Sequence, residues 1–263
     1  MKKILFLFVI IFILASPTAI SMLLPNDYPD AVISIELCNE SEKQCRSIAT
    51  GFLVGFESGR KDENGNNLYH YFLVTNRHVF EGLNKVYLKF NHHTQGTKHY
   101  PIELIQNNKP IWRMHRDPSV DVAILHLNIP YLKGDQSSYK YFIDKDFIAY
   151  HDKFPELGIS LGDEVFILGF PLGLVEQDKK FVIVKSGTIA RLDEIVLKDE
   201  KGNPLKGFLI DSSIFPGNSG GPVIIKPTNV TLSTTKAVNF PYVIGIISSY
   251  IPYKTENSGL TLV

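Results

Sequence analysis

The stretch "DSSIFPGNSGGPVII", Asp211–Ile225, surrounds one small polar residue, Ser219, with glycines and prolines, between runs that are typical of strands. A glycine cluster by itself indicates no more than a turn. A serine hydroxyl is a weak nucleophile at neutral pH. A chemical role for Ser219 therefore requires a base within hydrogen-bond reach and a carboxylate that orients this base.

Two other segments offer these partners. His78 follows the strand-like run "YFLVTN" in "TNRHVF", where a side chain can project from the end of a strand into a cleft. In "RDPSVDVAILHL", Asp121 directly precedes an apolar strand, which predicts a partly buried carboxylate that holds an imidazole in one tautomer. Asp117, before Pro118, is typical of a turn or a cap. We therefore predict His78 as the base and Asp121 as its orienting carboxylate.

The remaining histidines and the two cysteines are not expected to bind a metal. His92 and His93 lie in the polar turn "NHHTQG" with no carboxylate or cysteine nearby in the sequence, which favours a solvated surface. Cys38 and Cys45 flank "NESEKQ" and lack the neighbours of a zinc site. Their spacing suits a disulfide across the mouth of a hairpin in an oxidising compartment, with two free thiols as the alternative. No cofactor is predicted.

Short apolar runs separated by turn signals dominate the chain. Runs rich in Val, Ile, Phe and Tyr include "AVISIEL", "ATGFLVGF", "KVYLKF", "DEVFILGF" and "YVIGIISSYI". Hairpin loops are indicated by "ENGNN" and "EKGNP". This pattern predicts an all-β chain, built as a sandwich or a pair of barrels, with a domain boundary near residue 150.

The composition limits the classes of function. With 263 residues, 44% of them hydrophobic and 21% charged, the chain is long enough to bury a core. Lys+Arg and Asp+Glu both number 27, so the formal net charge is zero. No basic stripe is available to neutralise a phosphate backbone, which disfavours nucleic acid as a partner.

The first residues predict export. Lys2 and Lys3 precede an uncharged apolar run and then small residues with a proline, which is the layout of a secretory signal. We predict residues 1–21 as the signal peptide, with cleavage after Ser21, and a periplasmic or secreted mature chain without stable membrane association. An uncleaved anchor, which would display the chain on a membrane, is the alternative.

The order His, Asp, Ser across "TNRHV", "DVAIL" and "GNSGGPV" resembles the trypsin-like serine proteases of the chymotrypsin fold, and within them the HtrA/DegP-like branch. The run "LGDEVFILGFPLG" followed by "VKSGTIARL" is similar to the first strands of that branch's second barrel, and "VIGIISS" to its substrate-binding strand. The resemblance implies two antiparallel Greek-key β-barrels with the active site in the cleft between them. Residues 22–150 would carry His78 and Asp121, and residues 151–263 would carry Ser219.

The resemblance also implies the roles of the site residues. Ser219 is the expected nucleophile, His78 the general base and then acid, and Asp121 the residue that orients His78. The backbone N–H groups of Gly217 and Ser219 are expected to form the oxyanion hole. The implied activity is that of an endopeptidase, which cleaves polypeptides through a covalent acyl-enzyme.

The expected substrate pocket is neutral. Its floor corresponds to Ser213, six residues before Ser219, where no acid is present to hold a basic side chain. Its walls correspond to Ser248, Ser249 and Tyr250, and Ser248 also resembles the residue that braces the triad aspartate. We expect this pocket to accept small or medium apolar side chains.

Two departures from the family pattern limit what is carried over. Asn218 stands where trypsin-type zymogens have the aspartate that pairs with a new N-terminus, and no Ile-Val-Gly-Gly stretch follows the leader, so that route of activation is expected to be absent. HtrA proteins usually carry PDZ domains after the protease, and the residues that follow Ser219 are too few for a second domain, so PDZ-gated behaviour is not expected. The oligomeric state stays open. The alternative function is a catalytically silent protease-fold module that binds peptides or proteins in the cleft.

Overall fold

The computed structural model describes most of the chain beyond the leader, namely residues 24–39, 44–174, 179–198, 202–228, 236–253 and 256–263. The predicted signal peptide and its cleavage site after Ser21 lie outside the described residues. No helix among the described residues is long and apolar enough to span a lipid bilayer.

The first half of the described chain forms eleven strands: β1 Val32–Asn39, β2 Gln44–Lys61, β3 Asn67–Thr75, β4 Lys85–His92, β5 Gly96–Glu103, β6 Ile105–Gln106, β7 Lys109–Pro110, β8 Arg113–Met114, β9 Ala123–Leu127, β10 Ser137–Ser138 and β11 Phe142–Ile143. Nine of them form one sheet in the order β10-β4-β1-β2-β3-β9-β8, with β5 paired to β4 and β11 to β2. Strands β6 and β7 form a separate pair.

The second half forms seven strands: β12 Glu164–Gly169, β13 Ile183–Lys198, β14 Pro204–Asp211, β15 Pro222–Ile225, β16 Val243–Ile246, β17 Ser249–Tyr253 and β18 Glu256–Leu262. They form one antiparallel sheet in the order β16-β15-β12-β13-β14-β18-β17. Both sheets are curled, and the prediction of an all-β chain is confirmed.

Short helices lie between the strands. The α-helices are α1 Arg77–Phe80, α2 Ile129–Gly134, α3 Asp144–Phe147 and α4 Phe154–Leu157. Three 3₁₀ turns cover Tyr28–Ala31, His151–Lys153 and Pro171–Gly173. The predicted boundary near residue 150 stays a prediction; the first sheet ends at Ile143 and the second begins at Glu164.

Alternation along a strand places the buried side chains. In β9, Ala123, Leu125 and Leu127 are buried while the side chains between them are more exposed, as expected for a pleated strand with one face on the core. One cluster of buried apolar side chains joins the two sheets, because it contains Phe52 and Val54 of β2 together with Leu168 of β12. Burial of this shared apolar surface stabilises the contact between the sheets.

The β1–β2 hairpin carries the disulfide. Cys38 and Cys45 face each other in the strand register, and their sulfur atoms are bonded. The predicted disulfide is therefore confirmed.

Candidate active site

Asp121 lies at the buried mouth of β9. It precedes Ala123 by two positions, so it has the parity of the buried face of the strand. Its side chain is only 5% exposed. A buried carboxylate is costly unless hydrogen bonds satisfy it, and Asp121 accepts three of them.

His78 supplies two of these hydrogen bonds. Its side chain projects from the one-turn helix α1, directly after β3, rather than from the strand itself. Nδ1 of His78 lies 2.6 Å from Oδ2 of Asp121, and the His78 backbone N–H donates to Oδ1 at 3.1 Å. A carboxylate accepts only, so the proton of the neutral imidazole is on Nδ1 and Nε2 keeps its lone pair.

Ser248 supplies the third. Its hydroxyl donates to Oδ2 of Asp121 at 2.9 Å, across 127 residues of sequence. Ser248 lies between β16 and β17 of the second sheet, whereas Asp121 belongs to the first. The structure thus brings His78, Asp121 and Ser248 together.

Ser219 lies in the loop between β14 and β15, where it is half-buried. Two glycines permit the path of this loop, because both have a positive φ: +97° at Gly217 and +83° at Gly220. A Cβ on Gly217 would lie 2.2 Å from the Phe170 carbonyl oxygen, and one on Gly220 would lie 2.0 Å from that of Thr50. The loop therefore packs too closely on its neighbours for a side chain at either position.

The backbone N–H groups of Gly217 and Ser219 have no hydrogen-bond acceptor among the described residues. Two uncommitted N–H groups on one loop can receive a developing negative charge. Within the same described part of the chain, Ser219 Oγ makes no hydrogen bond to His78. Catalytic hydrogen bonds are often long in ligand-free proteins and tighten only when substrate binds.

Asn218 stabilises the loop from inside. It is fully buried, its backbone N–H donates to the Phe215 carbonyl at 3.0 Å, and its Oδ1 accepts from the Phe215 N–H at 3.2 Å. Its Nδ2 has no partner among the described residues. The side chain at this position thus closes a tight turn without an ion pair.

The predicted pocket residues are placed as follows. Ser213 is exposed, Ser248 is buried, Ser249 begins β17 and Tyr250 lies in the same strand. Nothing in the structure tests which substrate side chain they would accept, so the neutral pocket stays a prediction.

A cation beside the predicted pocket floor was missed from the sequence. The Lys185 ammonium of β13 donates to the Ser213 carbonyl oxygen and lies 4.4 Å from the centroid of the Phe215 ring. Burial lowers the pKa of Lys185 from its ordinary value. The only sequence signal for this lysine is that it is the single charged residue in the apolar run "FVIVKSG".

Two further polar residues that support the site were also missed. Asn76 is fully buried and donates from Nδ2 to the Asp121 carbonyl oxygen at 2.8 Å. Thr50 is fully buried in β2, and its hydroxyl donates to the Gly217 carbonyl oxygen at 2.7 Å. Each is a polar residue inside or beside an apolar run, which is the signal that could have found it.

One group of potential metal ligands lies away from this site. Donor atoms of Glu36, Cys45 and His99 are within 4.8 Å of one another. The Cys45 sulfur is held in the disulfide, and Glu36 is already satisfied, since it contacts His99 Nε2 at 2.9 Å and accepts from the Ser34 hydroxyl. The cluster is a polar network beside the disulfide, in which only Glu36 is buried.

The expectation for His92 is wrong. His92 is buried rather than solvated, because its Nδ1 accepts from the backbone N–H groups of Thr94 and Gln95, both at 3.2 Å. These bonds close the turn between β4 and β5. His93 is exposed, as expected.

Two curled, mainly antiparallel sheets, with a histidine and an aspartate from the first half and a serine loop from the second, define the chymotrypsin-like class of folds. The family model of the trypsin-like peptidase domain matches residues 49–229. This match covers more than half of the 263 residues. The chain belongs to the trypsin-like peptidase family.

Solved structures with a similar fold include the protease domain of MamO from Magnetospirillum magneticum in its apo form, which is 14% identical with a TM-score of 0.53 and covers 90% of this chain and 93% of that one. The HtrA-type protease AlgW with a tripeptide is 18% identical with a TM-score of 0.48, covering 89% of this chain and 56% of that one. AlgW with a decapeptide is 17% identical with a TM-score of 0.48, covering 89% of this chain and 60% of that one. The chain thus spans less than two thirds of AlgW. A search of curated proteins found no match.

Proposed function

We propose that the chain is an exported serine endopeptidase that hydrolyses peptide bonds of polypeptides through Ser219, His78 and Asp121. The observation that carries the proposal is the 2.6 Å contact between His78 Nδ1 and Asp121 Oδ2. It leaves Nε2 as a proton acceptor at the edge of the site, where the His78 side chain is 46% exposed. Membership of the peptidase family supports the reaction class.

The proposed reaction follows from these positions. Ser219 Oγ attacks the peptide carbonyl carbon while its proton passes to His78 Nε2, and the buried Asp121 carboxylate stabilises the resulting imidazolium. The N–H groups of Gly217 and Ser219 receive the negative charge on the carbonyl oxygen. The C–N bond then breaks, and the leaving amine takes the proton from His78. Water, activated by His78, hydrolyses the acyl-enzyme and frees Ser219.

One observation favours a second candidate, a silent module that binds peptides in the cleft. It is the lack of a hydrogen bond from Ser219 Oγ to His78 among the described residues. The two candidates differ in the reactivity of Ser219, because only an activated hydroxyl attacks phosphorus at an appreciable rate.

A fluorophosphonate probe distinguishes them. Ser219 of the purified mature protein is expected to displace fluoride from the probe and to gain one phosphonyl group. Peptide mass spectrometry locates this group. Ser219→Ala should stay unlabelled, while Ser186→Ala, on an exposed serine of β13, should label like the wild type. A folded wild type that is not labelled would overturn the peptidase proposal and leave the binding module.

The export part of the proposal is supported by the signal-like leader and by the Cys38–Cys45 disulfide, since disulfides persist in oxidising compartments. N-terminal sequencing of the protein recovered outside the cytoplasm should begin at Met22. An N-terminus that still contains the leader would instead support a membrane anchor.

A further inference from the structure

We infer that Thr50 is a positioning residue for the oxyanion loop, which is the segment 212–221 between β14 and β15. Thr50 holds this loop in the shape that leaves the N–H groups of Gly217 and Ser219 available, and it links the loop to the segment after β3 that carries His78. The inference rests on the proposed peptidase function and adds to it a residue from the first sheet, outside the predicted triad and pocket. Thr50 lies within β2 and has no exposed surface.

Thr50 binds both residues whose N–H groups would form the oxyanion hole. Its hydroxyl donates to the Gly217 carbonyl oxygen at 2.7 Å, and its backbone N–H donates to the Ser219 carbonyl oxygen at 2.8 Å. These two bonds restrict rotation of the peptide planes that follow Gly217 and Ser219, and each of these planes is joined through one Cα atom to the plane that carries the N–H group of the same residue. The direction in which the Gly217 and Ser219 N–H groups point therefore depends on Thr50.

The same hydroxyl also anchors the end of β12. It accepts a hydrogen bond from the Phe170 N–H at 3.1 Å, so the Thr50 hydroxyl both donates and accepts. Gly169 permits this approach, because a Cβ there would lie 2.8 Å from Thr50 Oγ1. Phe170 in turn packs against Gly217, because a Cβ added at Gly217 would lie 2.2 Å from the Phe170 carbonyl oxygen.

The Thr50 carbonyl oxygen completes the link to His78. It accepts a hydrogen bond from the Thr75 hydroxyl at 2.8 Å, and Thr75 is the last residue of β3, three positions before His78. Gly220 lies against both threonines, since a Cβ on it would be 2.0 Å from Thr50 O and 2.3 Å from Thr75 Oγ1. One buried residue thus connects the base, the nucleophile and the oxyanion loop.

Thr50→Val tests this inference, because valine keeps the shape and removes the hydroxyl. The readouts are the maximal rate of fluorophosphonate labelling and the probe concentration at half that rate. We expect the maximal rate to fall by about tenfold to a hundredfold, less than or similar to the loss of one oxyanion donor. The half-saturating concentration should change by less than about threefold, because the probe's binding groups do not contact Thr50. Thr50→Ser, which restores the hydroxyl, should recover most of the rate.

Thr261→Val is the matched control. Thr261 is equally buried, and its hydroxyl donates to the Ser212 carbonyl oxygen at 3.1 Å, upstream of the loop. It undergoes the same chemical change without contact to Gly217 or Ser219. We expect a comparable loss of stability on thermal unfolding and a labelling rate within about threefold of the wild type.

The outcomes separate cleanly. A wild type that is not labelled overturns the peptidase proposal, and this inference with it. A labelled wild type with an unchanged rate in folded Thr50→Val, or no recovery in folded Thr50→Ser, overturns the inference alone. If Thr50→Val does not fold, Thr50→Ala is compared with Thr50→Ser, since the two differ by one oxygen atom. If neither the valine nor the alanine variant folds while Thr261→Val does, the hydroxyl serves the fold and the inference is overturned.

Discussion

The hydroxyl of Ser248 donates to Oδ2 of Asp121 at 2.9 Å, so a residue of the second sheet binds the carboxylate that the first sheet buries. The same oxygen accepts from His78 Nδ1. Asp121 therefore has its full set of hydrogen bonds only when both sheets are assembled. The packing of the two halves and the orientation of the candidate base are coupled at this atom.

Ser248→Ala is expected to slow fluorophosphonate labelling by about tenfold, because one hydrogen bond of about 1.5 kcal/mol to the carboxylate is lost. The two bonds from His78 remain and keep the imidazole in place. Labelling rates at fixed probe concentration give the comparison. A loss as large as that of Asp121→Asn would contradict the supporting role given to Ser248.

Asp121→Asn is expected to reduce labelling by about 10⁴-fold. The amide would present an N–H to His78 Nδ1, which then has to accept, so the proton moves to Nε2 and blocks proton uptake from Ser219. Asp117→Asn is the matched control, because Asp117 accepts from Ser119 and contacts Lys206, apart from His78. It should label within about twofold of the wild type. Equal losses in both variants would exclude a specific role of Asp121.

Gly217→Ala is expected to abolish labelling and to destabilise the fold more than Gly162→Ala. Both positions have a positive φ, +97° and +87°, so both substitutions should cost about 1–2 kcal/mol of backbone strain. Only Gly217 adds a clash, with the Phe170 carbonyl oxygen 2.2 Å from the new Cβ, whereas nothing lies within 4 Å at Gly162. Free energies of unfolding in urea measure the difference. Equal costs would show that the loop can move away from Phe170.

Lys180 is expected to make stability depend on pH in the alkaline range. Its ammonium is buried and donates to the carbonyl oxygens of Pro29 and Val32. Burial lowers the pKa of Lys180 from 10.5 to about 8. Between these values the unfolded chain binds more protons than the folded one, so the free energy of unfolding rises as pH increases from about 8 to 10.5 and falls again as pH decreases through that window.

The comparison with Lys180→Met isolates this contribution from the tyrosines that titrate in the same range. The wild type should gain up to about 3 kcal/mol relative to the variant across the window, measured by urea unfolding at each pH. Parallel stability curves for the two proteins would show that Lys180 has its ordinary pKa in the folded state.

The disulfide and the strands were predictable because their signals are local. Cys38 and Cys45 lie close together in the sequence between two strand-like runs, so their pairing needed only the hairpin. His78 and Asp121 could be selected because each directly adjoins an apolar strand. Their 2.6 Å contact was an inference from chemistry and family resemblance, since no local pattern brings the segments together.

The supporting residues could not be predicted in the same way. The contact of Thr50 with Gly217 spans 167 residues, and that of Lys185 with Ser213 spans 28. The sequence alone does not state which polar residue of an apolar run will meet a carbonyl group of a distant loop. His92 was misjudged for a related reason, because a histidine in a polar turn becomes buried when the turn folds over its own ring.

The amino-acid sequence by itself determined the β architecture, the disulfide and the identity of the candidate triad, because these depend on side-chain alternation, turn glycines and the chemistry of single residue types. Only the tertiary structure decided how the site is held. It placed Ser248 on Asp121 and Thr50 on the oxyanion loop, and it positioned Lys185 beside the predicted pocket floor. The contacts of Ser248 and Thr50 exist only after the two sheets pack together, and that packing depends on the apolar surface that both halves bury jointly. The contact of Lys185 forms within the second half, once β13 and β14 pair.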